Sequence, residues 1–319
     1  MKRFIPLLTA LALAIPLAAQ ATITFKFDAD GLGGAFMPQD IDLIDQAPGG
    51  ALSVGGNPVG GIDVGQTTKL LYQANIKTFD NDGNIVFANG TGGIRFTTVA
   101  GFTEVVTGIN SNASGTTVNF GLGSANARSA DNFFYIYRVP ALANALAGTG
   151  FVDSNPANRI MSGHITAVDS SQFTANNLPP VNLDQFGANN WVGTQTIIGS
   201  GATSLVLTID SVNADYFPNI NTNTQLTLGF VNTSLVDPFR QVDPSRRFST
   251  DGIANGDKVT NVGPVNGFNN NAAGTSPLDF IFQADANMSL DVPEPGSLAL
   301  AGLALAGLGL LSRRRQAAK

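Results

Sequence analysis

The chain has 319 residues, 43% of them hydrophobic, which is enough to bury one large core or two smaller ones. Its formal net charge is -6. Lys2, Arg3, Arg313, Arg314, Arg315 and Lys319 all lie near the two ends, so the stretch between them is more acidic still, a balance that repels nucleic acid and anionic membrane surfaces. No cysteine is present, which excludes disulfides, thiolate metal sites and cysteine nucleophiles.

In chain order, Lys2 and Arg3 precede an apolar stretch over residues 4–18, followed by Ala19, Gln20 and Ala21. That order is a basic region, a hydrophobic region and a small-x-small cleavage site, and it predicts a signal helix removed after Ala21. Residues 23–27 alternate apolar and polar side chains and predict a strand. Residues 32–65 are rich in Gly and Pro, and Ala47, Pro48, Gly49 and Gly50 read as a turn by composition. Strands are predicted at 69–77, 85–88, 94–99, 102–107, 116–120 and 133–139, with a hairpin turn at Asp82-Gly83, where the glycine supplies positive φ. Phe133, Phe134, Tyr135, Ile136 and Tyr137 predict a central strand buried on both faces.

Residues 141–147 form the best short helix candidate, closed by Gly148. Strands resume at 160–168, 195–198, 204–209, 225–231 and 278–284, and residues 261–277 read as a loop. In the last strand Gln283, Asp285 and Asn287 alternate with Phe282, Ala284 and Ala286, the pattern of an edge strand with one polar face. The whole predicts an all-β fold of one or more antiparallel β-sandwich-like domains over residues 22–291, with phenylalanine dominating the core. At the C-terminus a charge-free run over 297–311 precedes Arg313, Arg314 and Arg315. As a helix it spans roughly 22 Å, short against a hydrocarbon core of about 30 Å. The arginines place the preceding chain outside the cytoplasm.

Few residues offer chemistry. His164 is the single histidine; as a general base it needs a nucleophile and an orienting carboxylate, and its neighbours Ser162 and Thr166 are ordinary strand residues. Asp28 with Asp30, and Asp80 with Asp82, place carboxylates on alternate residues and are the calcium candidates. Neither pair fits an EF-hand loop: the glycine falls at the fourth position, and Gln39 and Thr91 stand where the bidentate glutamate belongs. Turn chemistry accounts for both pairs, so no metal or cofactor is assigned. Glu104 and Glu294 are the only glutamates, and nothing singles out a glycosidase carboxylate pair. Phosphate loops, a serine elbow and a dinucleotide fingerprint are all missing, and no enzymatic activity is expected.

The tail Val292, Pro293, Glu294, Pro295, then the apolar run, then Arg313 to Arg315, resembles the PEP-CTERM sorting signal of exopolysaccharide-making Gram-negative bacteria. The competing reading is a plain tail anchor, which has no need of Pro-Glu-Pro and is usually longer. The resemblance, over 292–315, implies a short transmembrane helix, transient inner-membrane insertion, processing by an exosortase-type membrane protease and export to the surface. Other stretches resemble flocculation-associated PEP-CTERM proteins: residues 27–31, 45–52, 70–74 and 282–287. That resemblance implies a secreted matrix protein that holds cells and exopolysaccharide together in flocs or biofilm. The alternative is a lectin-like carbohydrate-binding module, for which Trp191 and Tyr216 are the candidate aromatics.

Overall fold

The computed structural model describes residues 24–34, 37–54, 62–123, 131–139, 156–176, 181–183, 191–196, 199–232 and 280–289. Both predicted terminal helices, the helix expected at 141–147 and the loop expected at 261–277 lie outside these residues. Within them the protein is antiparallel and all-β, sandwich-like as its alternation predicted. In chain order the strands are β1 (Phe25–Phe27), β2 (Gln39–Ile41), β3 (Leu43–Gln46), β4 (Gly49–Val54), β5 (Thr67–Asn81), β6 (Asn84–Ala88), β7 (Arg95–Asn112) and β8 (Gly115–Leu122). There follow β9 (Phe133–Val139), β10 (Arg159–Asn176), β11 (Val181–Leu183), β12 (Trp191–Thr196), β13 (Gly199–Val212), β14 (Gln225–Asn232) and β15 (Phe280–Ser289).

Eleven of these strands form one sheet whose pairing runs in a circuit. β5 pairs with β4, β4 with β15, β15 with β14, β14 with β13, β13 with β10, β10 with β8, β8 with β7, and β7 again with β5. Two positions in the circuit are shared. β3 and β4 follow each other along β5 and β15, broken by Ala47 and Pro48. β8 and β9 follow each other between β7 and β10. The faces of the sandwich are thus joined at both edges, leaving eight hydrogen-bonded positions around a common lumen, the count at which a barrel is just filled by side chains or holds one small ligand.

Strand alternation decides what enters the lumen. Tyr72, Ala74, Phe102, Leu205, Leu207, Leu228, Ala286 and Met288 are all buried in one cluster. At one end Phe27, Phe79, Phe87, Phe96 and Phe217 form an aromatic plug, in which Phe27 stacks on Phe79 with centroids 3.8 Å apart. Such contacts add to simple area burial. β1 is clasped there by the segment after β13: Asp28 N donates to Tyr216 O at 2.9 Å, and Lys26 N to Asn219 Oδ1 at 2.6 Å.

Several sequence expectations need correction. The Gly- and Pro-rich stretch over 32–65, to which the sequence assigned no strand, holds β2, β3 and β4. Gly49 and Gly50 are strand residues rather than turn residues: a Cβ on Gly49 would sit 2.4 Å from Gln73 O, so the glycine permits close approach of β4 to β5. β15 has one polar face as expected, but it is not an edge, being paired on both sides. The strands expected at 94–99 and 102–107 are one continuous β7, with Gly101 tolerated because a side chain there would strike Phe133 and Leu71. β9 is buried nearly throughout and paired on both sides, as predicted.

Candidate functional site

Among the described residues, no side chain fills the end of the lumen away from the aromatic plug. A cavity of about 390 Å³ lies there, reached by side chains from all eight positions of the circuit. Its walls are mainly apolar, including Leu70, Ile109, Val118, Phe120, Phe230 and Phe282. Small-molecule sites are commonly of this size and character, with a few convergent polar groups.

The polar groups come from alternation on three strands. Phe102, Glu104 and Val106 share the inward face of β7, so the carboxylate enters the lumen among apolar neighbours. Thr68 is its register partner on β5, and Tyr72 stands further along the same face of that strand. Ser171 reaches in from β10 and donates its hydroxyl to Glu104 Oε1 at 3.4 Å, while pairing more closely with Thr203 Oγ1 at 2.8 Å. Glu104 is 6% exposed, and loss of hydration pushes its carboxyl up to about 7, opposed only by the Ser171 bond. Thr68 Oγ1 and Tyr72 Oη are buried with no hydrogen-bond partner among the described residues. Burial, and behind it the carboxylates of Asp285 and Asp45, hold the Tyr72 phenol well above its ordinary range. Among the described lining residues, Glu104 and Tyr72 are the only titratable groups. The signal for Glu104 was legible but unused: one acid in phase with Phe102 and Val106 on an apolar face.

The sequence-derived candidates fall elsewhere. Asp28 is buried and accepts backbone N–H groups from Asp30 and Gly31 on Oδ1 and from Gly33 on Oδ2, at 3.2, 3.1 and 2.8 Å. Its carboxylate therefore shapes the loop after β1, and Asp30 Oδ1 does the same for Leu32 N at 3.0 Å. Asp82 and Gly83, at φ 48° and 75°, form the two-residue turn between β5 and β6 that the sequence predicted. Asp80 sits beside it at the end of β5. Among the described residues no group of three or more His, Asp or Glu side chains is placed to hold a metal ion.

His164 gains the partner its neighbours in sequence could not supply. Its Nδ1 lies 2.8 Å from Asp210 Oδ1, on the paired strand β13. The two belong to a polar stripe on the outward faces of β10 and β13, flanked by Ser162–Ser211 at 2.8 Å and Thr166–Thr208 at 3.2 Å. Tyr216 packs its ring over Gly31 and edge-to-face with Phe96, at 6.3 Å, and so serves the loop after β1. Trp191 opens β12, which pairs with β11 outside the main sheet.

Fold and tail together define an antiparallel all-β protein followed by a C-terminal sorting signal. Residues 291–315 match the PEP-CTERM protein-sorting motif. The matched span contains Val292, Pro293, Glu294, Pro295 and Arg313 to Arg315, all outside the described residues, as are Ala19 and Ala21 of the expected signal cleavage site. The motif marks an exported protein sorted through an exosortase and secreted to the cell surface. No curated protein matches the chain, and no solved structure does. Among the described residues no helix is long and apolar enough to cross a membrane.

Proposed function

We propose that the exported body acts without catalysis as a cell-surface and matrix protein, promoting flocculation or biofilm cohesion through contacts with exopolysaccharide. The observation that carries this reading is the sorting motif, which marks the body for the cell surface. Two further features support it. The outward stripe of Ser211, His164, Asp210, Thr166 and Thr208, each at least partly exposed, offers repeated hydrogen-bonding groups, suited to many weak contacts with hydroxyl-rich chains. The stretches that resemble flocculation-associated proteins at 45–52, 70–74 and 282–287 lie far apart in sequence but occupy adjoining strands β3–β4, β5 and β15.

Deletion in a floc-forming host tests the role. The expected result is dispersed growth restored to flocs by the intact chain, and unchanged aggregation after deletion would refute it. A companion measurement is sedimentation of the protein with the host's own exopolysaccharide, with and without calcium. Binding that persists in chelator assigns the contacts to hydrogen bonding, and binding that needs calcium assigns them to cation bridging between acidic groups.

A further inference from the structure

We propose that the lumen cavity is a binding site for a small lipophilic molecule carrying a single hydrogen-bond-donating head, with a cationic amine preferred, and that Glu104 receives the head. Three observations converge. The cavity has the size of a ligand site and is walled by apolar side chains from every position of the closed sheet. Among the described residues its polar groups are incompletely satisfied: Thr68 Oγ1 and Tyr72 Oη find no partner there, and Glu104 has one long bond from Ser171. Buried polar groups in native proteins are ordinarily paired, so three such groups around one cavity indicate a missing partner. The third observation is the charge pattern. No Lys, Arg or His is among the described lining residues, so an ionised Glu104 has no cation there and an amine supplies one.

The direction of specificity follows from the chemistry. An ammonium head donates to Glu104 and matches its charge. An alcohol donates but leaves the charge unmatched. A carboxylate head brings a second anion into the same apolar site and is rejected. Tyr72 is the other titratable group facing the cavity, and it stays neutral where Glu104 titrates.

The probes are octylamine, octanol and octanoate, titrated calorimetrically into the full chain. The expected result is one saturable site, with affinity falling from amine to alcohol and at least a further tenfold to octanoate. Amine affinity is expected to rise between pH 5 and pH 8 as Glu104 ionises, since an alkylamine stays protonated across that range. Glu104→Gln is expected to weaken the amine at least tenfold, flatten that pH profile and leave octanol within about threefold. Ala175→Trp, at a partly exposed lining position, is expected to abolish binding of all three probes. Octanoate binding as tightly as octylamine overturns the proposal. So does amine binding unchanged in Glu104→Gln, or no saturable binding of any probe to the unaltered chain. These outcomes concern the lumen and leave the flocculation assay independent.

Discussion

Glu104 sits in an apolar lumen, and its ionisation sets how stability varies with pH. Its folded carboxyl titrates near 7 against an ordinary value of 4.5, so the folded state holds its proton more tightly than the unfolded state does. Stability from this group is greatest below 4.5, falls as pH rises from 4.5 to 7, and is constant above. Glu104→Gln removes the charge while keeping the shape. The variant is expected to match the parent near pH 4 and to exceed it near pH 8, by up to about 3 kcal/mol. Urea denaturation at both pH values checks this, and equal gains at both would assign the effect to packing. Asn132 poses the opposite case. Its Nδ2 donates to Ile165 O and its Oδ1 accepts from Ile165 N, both at 2.8 Å and buried, so one side chain stands in for a strand residue just before β9. Asn132→Leu leaves two buried backbone groups unpaired and is expected to cost about 2–4 kcal/mol in the same assay. The Asp82-Gly83 turn was legible from the sequence because its cause is local. The Asn132 and Asp210 contacts were not, because each joins residues more than thirty positions apart and depends on register.

At the scale of elements, β3 and β4 show where composition misleads. Glycine marks a turn when it supplies positive φ and a strand when it removes a side chain, and a residue count cannot separate the two. Gly83 is the first kind: its φ is 75°, and a methyl added there would meet nothing within 4 Å. Gly49 is the second, since a methyl there would meet Gln73 O at 2.4 Å and Ala74 Cβ at 2.6 Å. Gly83→Ala is therefore expected to cost about 1–2 kcal/mol, the strain of one left-handed residue. Gly49→Ala has to push β4 away from β5, displacing backbone against backbone, and is expected to cost more than Gly83→Ala. Thermal melts of the two variants check the order, and an equal or reversed order would show that the two strands part easily. Long alternating strands such as β7, β10 and β13 were recognisable over part of their length, where their inward faces are apolar in phase. Their ends were missed where threonine, asparagine and glycine continue the pairing by backbone bonds alone.

For the molecule as a whole, the decisive contacts join the two ends of the sheet in sequence. β15 is the last described strand, and it lies between β14 and the β3–β4 position, pairing Met288 with Ile44 and Phe282 with Ala51. Without β15 the circuit is open, and β14 and β3–β4 each present an unpaired edge, the usual template for aggregation. Nothing in local sequence announces this closure, which is why β15 reads as an edge strand from its alternation alone. The sorting motif begins at residue 291, two residues beyond the end of β15. A chain truncated after Asp291 therefore keeps every strand pair described above, whereas one truncated after residue 279 loses the closing strand. The first is expected to remain monodisperse on size exclusion with strand-rich circular dichroism, and the second to aggregate or to elute as a pairing oligomer. Because closure couples residues more than 230 positions apart, it is also expected to be slow relative to hairpins such as β5–β6. Pulse-labelled hydrogen exchange during refolding of the longer chain checks that order, with the β15 amides expected to gain protection after those of β5 and β6. A monodisperse, fully folded shorter chain would show that the circuit does not hold the body together and that β15 is an ornament on an already stable sheet.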